Sequence, residues 1–221
     1  SFTDNNSCFN SDSITATITP IDTAYAGDDI SVCEDIGTVS LTGNPGGGSW
    51  SGNGITSSGQ YSVTSVGNFN FTYTYGTGTC LNEDQAVIYV NSLPNVSAGS
   101  DLTFCVDDSV QTLIGVPSGG VWSGLGTSSG TNSFNPYSAG SGIHTLTYTY
   151  TNSNGCIGLD TKQIIVNGLP IVDAGSDINE CDQPIAVNLT GSPSLGSWTG
   201  NGVTSNGVFT PNGIGTVILT Y

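Results

Sequence analysis

The 221 residues predict an all-β chain, a tandem array of small antiparallel β-sandwiches. Three observations predict it. One sequence pattern recurs three times along the chain. Short runs alternate apolar and polar residues with a period of two, the signature of half-buried strands. Gly-rich turns separate those runs, and no segment carries helical periodicity.

The pattern is Ala-Gly-x-Asp, then three residues, then Cys. It occurs at Ala26–Cys33, Ala98–Cys105 and Ala174–Cys181. Each copy continues into a Trp-[Ser/Thr]-Gly-x-Gly turn, at Trp50–Gly54, Trp122–Gly126 and Trp198–Gly202. A second Cys closes the unit at Cys80 and Cys156. The first Cys recurs in steps of 72 and 76 residues. Reading Val217–Tyr221 on into Ser1–Cys8 gives VILTY-SFTDNNSC, which aligns without a gap to His144–Cys156. A fixed period marks a repeat architecture. The chain therefore reads as a window from a longer array. Residues 1–21 are the last strands of a preceding repeat, 22–93 and 94–169 are full repeats, and 170–221 is a repeat lacking its last strands.

Within the first full repeat, Ile30–Val32 is a short β-branched strand and Thr38–Leu41 a second. A Gly-Asn-Pro-Gly-Gly-Gly turn at 43–48 follows, then Ser49–Ser51 with its Trp and Gly59–Val63 around Tyr61. Phe69, Phe71, Tyr73 and Tyr75 alternate with Asn70, Thr72 and Thr74. Ala86, Ile88 and Val90 form the last strand. About seven short strands in so few residues enclose a thin core, and domains of this size commonly need a covalent staple. The linkers Ser92-Leu93-Pro94 and Gly168-Leu169-Pro170, with Pro20 in the first junction, are short and stiffened by Pro. The expected form is a semi-rigid rod whose beads contact mainly the neighbouring repeats of the same chain.

Seventeen acidic side chains face one Lys, Lys162, and one His, giving a formal net charge of −16. Nucleic acids and anionic lipid surfaces are attracted through Lys and Arg, so neither is an expected partner. No stretch of 18 apolar residues predicts membrane insertion in this segment, and residues 1–30 show no signal-peptide pattern. A single Lys also excludes Lys–Asn isopeptide bonds as the general lock of the repeats.

Six Cys recur at repeat positions without a CxxC pair, which favours disulfides in an oxidising, extracellular setting over zinc. Two pairings are open. Within repeats, Cys33 bonds Cys80 and Cys105 bonds Cys156, with Cys8 and Cys181 paired to neighbouring repeats or units. Across repeats, Cys8–Cys33, Cys80–Cys105 and Cys156–Cys181 are each separated by 25 residues. Each 25-residue segment reads as strand, linker, strand. Laid end to end it spans on the order of 60 Å, which favours the first scheme because a disulfide needs Cα atoms within about 7 Å. Unfolding a repeat closed in that way releases 25 residues, about 85 Å at full extension.

The combined string AGxD-x₃-C, LTG, G-x-WSGxG, TYTY…C and V-N-x-L-P resembles the immunoglobulin-like (PKD-like) tandem repeats of giant Bacteroidota cell-surface proteins, of which the SprB type of gliding-motility adhesin is the nearest guess. The resemblance covers essentially the whole chain. It implies Ig-like sandwiches, type IX secretion, and display at the cell surface as long filaments; single chains and bundles of chains are both open forms of such a fibre. It also makes Ser13, Thr23 and Ser109 candidate O-glycosylation sites, each in an Asp-[Ser/Thr]-aliphatic context.

Trp50, Trp122 and Trp198 share one repeat position and read as core aromatics, with sugar-stacking platforms as the alternative. Asp29, Asp101 and Asp177 align in all three copies and are the calcium candidates, although their spacing fits no dedicated calcium loop. His144 aligns with Phe69 and Val217 and reads as structural. No catalytic constellation or other cofactor site is visible. The sequence thus reads as a stalk segment of an extracellular surface filament or adhesin that bears tension between cell and substratum. The rival is a glycan-binding module array.

Overall fold

The computed structural model describes residues 1–18, 20–128 and 130–221. Internal contacts divide the chain into two compact units, Ser1–Ser97 with Thr149–Leu159, and Ala98–Tyr148 with Asp160–Tyr221. Among the described residues no helix is long and apolar enough to cross a membrane.

The first unit begins with a small hairpin, β1 (Phe2–Thr3) and β2 (Phe9–Asn10), in register Phe2↔Asn10 and Thr3↔Phe9. Six strands follow: β3 (Ile30–Cys33), β4 (Thr38–Ser40), β5 (Ser49–Ser51), β6 (Gln60–Ser62), β7 (Gly67–Tyr75) and β8 (Asn82–Asn91). They form a four-stranded sheet in the order β3-β8-β7-β5 and a two-stranded sheet β4-β6. The alternation read in β7 and β8 sets the faces. Phe71, Tyr73, Ala86, Ile88 and Val90 point into the core, where they meet Val39, Leu41 and Tyr61 on the side of the small sheet. Trp50 completes this core from β5.

One edge departs from the antiparallel expectation. β3 runs parallel to β8, with Ile30 opposite Ile88 and Cys33 opposite Asn91. Parallel neighbours need a long connection. Here strands β4 to β7 supply it, because the linker feeds β3 in alongside the last strand of its own repeat.

The second repeat follows the same plan. β9 (Leu102–Cys105), β10 (Gln111–Thr112), β11 (Val121–Ser123), β12 (Ser133–Phe134), β13 (Gly142–Thr151) and β14 (Ile157–Asn167) give a sheet ordered β11-β13-β14-β9 and a pair β10-β12. β9 is again parallel to β14, with Cys105 opposite Asn167. Leu113, Trp122, Phe134, Leu146, Tyr148, Ile164 and Val166 are its buried core. Helix was not expected from the sequence, yet one turn, α1 (Pro136–Ala139), follows β12. Its cause is local: Pro136 occupies the first turn, and the Asn135 side chain accepts from the Ser138 amide at 3.3 Å.

The third repeat retains a pair, β15 (Val187–Asn188) and β16 (Val208–Phe209), with bridges Asp173↔Ser192 and Thr199↔Thr220. Trp198 and Phe209 are buried, but Leu219 and Tyr221 are only partly covered. Their counterparts Phe71, Tyr73, Leu146 and Tyr148 are all buried.

Candidate functional site

The structure joins Cys33 to Cys156, a pair that neither expected pairing contains. The Cα atoms are 5.6 Å apart across 123 residues of sequence. Both residues lie in the first unit. The parallel edge explains why Cys33 does not bond Cys80. Cys33 pairs with Asn91 at one end of β8, whereas Cys80 precedes Asn82 at the other end. Ten residues of strand hold the two roughly 30 Å apart. The same holds for Cys105, opposite Asn167, and Cys156, which precedes the start of β14. The 25-residue pairings are absent as well: Cys8, Cys80, Cys105 and Cys181 are free thiols, all exposed.

Local turns present the bonded pair. Asn152 accepts the amides of Asn154 and Cys156 on its side-chain oxygen, each at 3.0 Å, and donates its own amide to the Cys156 carbonyl at 2.9 Å. Gly155 closes this turn with φ +81°. Two side chains then grip the linker beside the disulfide. Glu34 accepts the Leu93 amide at 2.8 Å, and Asn152 Nδ2 donates to the Ser92 carbonyl at 3.2 Å. Gly158 lies so close to Pro94 that a Cβ there would stand 2.5 Å from its carbonyl oxygen. The linker is thus pinned by charge-assisted and neutral hydrogen bonds and by close backbone packing, beside the Cys33–Cys156 bond.

A second device recurs in all three copies, and the sequence reading missed it. The Tyr73 hydroxyl donates to the Pro45 carbonyl at 2.5 Å and accepts from the Gly48 amide at 2.9 Å. Tyr148 does the same with Pro117 at 2.5 Å and Gly120 at 2.8 Å, and Tyr221 with Pro193 and Gly196. Each proline follows a cis peptide bond. Side chains at Gly43 and Gly48 would collide with the Tyr73 ring, which explains the Gly-rich turn. The signal was available: Pro45, Pro117 and Pro193 each stand five residues before a Trp. That Trp packs on the same Tyr, with ring centroids 5.2, 4.9 and 5.0 Å apart. Trp50, Trp122 and Trp198 are 5, 2 and 6 % exposed.

The acidic candidates hold backbone amides. Asp29 accepts from the Val87 amide and Asp101 from the Gln163 amide, each at 2.8 Å. Asp84 and Asp160 accept from the Ala26 and Ala98 amides, again at 2.8 Å. These four carboxylates latch the two Ala-Gly-x-Asp segments to the last strands. Hydrogen bonds from the Ala98 and Thr161 amides hold the Asp160 carboxyl below its usual pKa. Asp177 is exposed, and among the described residues no three His, Cys, Asp or Glu side chains gather into a metal-sized cluster. Ser13, Thr23 and Ser109 are exposed. His144 Nε2 donates to the Gly140 carbonyl at 2.8 Å, beside Phe134.

Lys162, which the sequence marks only as the single Lys, is buried in the second unit, 6 % exposed. Its ammonium lies 5.4 Å from the centroid of Trp122. Burial lowers its pKa, and Asp101 opposes that shift.

No family model and no curated protein matches the chain. Several solved structures of tandem extracellular domains do. Domains 3–5 of Drosophila OTK match at 15 % identity and a TM-score of 0.34, over 66 % of this chain and 63 % of that one. Immunoglobulin domains 1–4 of Sidekick-1 match at 16 % and 0.29, over 67 % and 51 %. Mouse cadherin-23 EC22–24 matches at 12 % and 0.28, over 86 % and 88 %. The chain therefore spans about half to two thirds of the first two. At these scores the likeness carries no functional argument, and the reading below rests on the chain's own geometry.

Proposed function

We propose that this chain is a stalk segment of a long extracellular surface filament or adhesin. Its repeats run 22–93, 94–169 and 170–221, after the closing strands of a preceding repeat in 1–21. The observation that carries the reading is the Cys33–Cys156 bond. It ties the first Cys of one repeat to the second Cys of the next, beside a linker that is itself pinned. A covalent tie there protects the linker against tension, and a disulfide of this kind suits an oxidising exterior. The polar, acidic surface suits a solvated fibre. Gliding motility and type IX export enter only through the sequence resemblance.

The burial of all three Trp rings removes the stacking platforms that a glycan-binding array would need. The test is immunogold labelling of unpermeabilised source cells. Label strung along extended surface filaments is expected, and label confined to the cell interior would overturn the reading.

A further inference from the structure

We propose that the outer face of the second repeat's four-stranded sheet is a self-association surface, on which a second copy of this chain packs sheet against sheet. In β11, β13 and β14 buried and exposed residues alternate, so one set of side chains faces the core and the other faces out. The outward set differs in kind from that of the first repeat.

In the first repeat Asn68 lies opposite Tyr89, and Ser49, Thr74 and Glu83 form one row across the sheet. The two repeats align on Trp50 with Trp122, Tyr73 with Tyr148 and Ala86 with Lys162. The place of Asn68 is then taken by Ile143 and that of Tyr89 by Ile165. Val121 replaces Ser49, and Leu159 replaces Glu83. These four apolar side chains are left in water, with Ile143 67 %, Leu159 66 %, Val121 59 % and Ile165 39 % exposed. A single exposed Ile needs no explanation. Four on one sheet face, where the sister repeat has mostly polar side chains, mark an interaction surface.

Charge selects the occupant. The chain carries a formal charge of −16, so two copies repel wherever their carboxylates meet. The outward positions of β11, β13 and β14 hold no carboxylate, whereas the matching face of the first repeat carries Glu83. A basic partner would be drawn to the acidic surface elsewhere. The uncharged face is matched by its own copy. Its apolar rows meet apolar rows, and the intervening Thr145, Thr147 and Thr161 carry hydroxyls that both donate and accept.

Size agrees. β13 and β14 are 10 and 11 residues long, so the face runs roughly 30 Å along the strands and 15–20 Å across them. Two copies together cover about 1,000 Å², the lower limit for a specific contact. The pairing is therefore weak. Because one patch serves both copies, it closes as a dimer.

This goes beyond the stalk reading and can fail without it. The test is sedimentation equilibrium of the full chain from about 1 μM to about 1 mM. The exposed thiols are first alkylated with iodoacetamide, so that no disulfide links two copies. The mass should rise from 22.5 kDa toward twice that value. It should do so at lower protein concentration in about 1 M salt than in about 0.01 M, because the reach of the repulsion shrinks from about 30 to 3 Å. Ile143→Asn combined with Leu159→Glu installs the residues that the first repeat carries on the same sheet, and should stay monomeric. Asn68→Asp adds a charge at the equivalent place of the first repeat, and should pair like the parent. A parent that stays at 22.5 kDa throughout overturns the proposal and leaves the face to a partner of other chemistry. A doubly substituted chain that pairs like the parent, or an Asn68→Asp chain that loses pairing, overturns it as well.

Discussion

Cys33 and Cys156 are bonded across 123 residues, although each has another cysteine of its own repeat 47 or 51 residues away. A loop of that length constrains the unfolded chain strongly, by about 5 kcal/mol in the chain-entropy account. Cys33→Ser should therefore lower the unfolding free energy by an amount comparable to that figure, with Cys156→Ser matching it. Cys80→Ser and Cys105→Ser should leave the single chain within about 0.5 kcal/mol of the parent. Urea titration of the four variants checks this ordering.

Tyr73 and Tyr148 hold their turns through one donated and one accepted hydrogen bond each. Replacing either by Phe keeps the ring against Trp50 or Trp122 and removes the hydroxyl. Each change should cost about 1–3 kcal/mol, because a carbonyl and an amide are left without their partner. Equal losses at the two positions, measured by thermal unfolding, are the expected outcome of a device the repeats share.

Lys162 is the single Lys or Arg, so trypsin has one cleavage site, in the middle of β14. Its side chain is buried over the Trp122 ring. The folded chain should resist trypsin and the unfolded chain should be cut once. Rapid cleavage of the native protein would show that the cation is not held there.

Asp160 has a folded pKa below the usual carboxylate value, caused first by the Ala98 amide and then by that of Thr161. The unfolded state thus binds the proton more readily. The contribution is present above about pH 4 and is lost as pH falls through the lower folded value. Asp160→Asn should flatten the acid limb of a stability–pH profile and leave the neutral plateau less affected.

The strands were legible because apolar alternation survives in a single sequence. Phe71, Tyr73, Ala86, Ile88 and Val90 face inward as their spacing indicates. The direction of β3 was not legible. A four-residue strand carries no mark of whether its neighbour runs with it or against it, and that direction decides which cysteine Cys33 can reach. The separations of 25, 47 and 51 residues gave no hint of a bond across 123. The tyrosine turn was half-visible in the recurrent Pro and Gly, but only the folded chain shows the hydroxyl between Pro45 and Gly48. Lys162 aligns with Ala86 and Ile14, a core-facing position. Counting it only in the charge balance passed over that position.

The most direct test of the tension-bearing account is to pull a single chain by its ends, oxidised and then reduced. With Cys33 bonded to Cys156, the intervening 123 residues cannot extend. Reduction should release them as one gain in contour length of about 400 Å. Equal lengths in both states, or two separate gains matching loops of 47 and 51 residues, would contradict it.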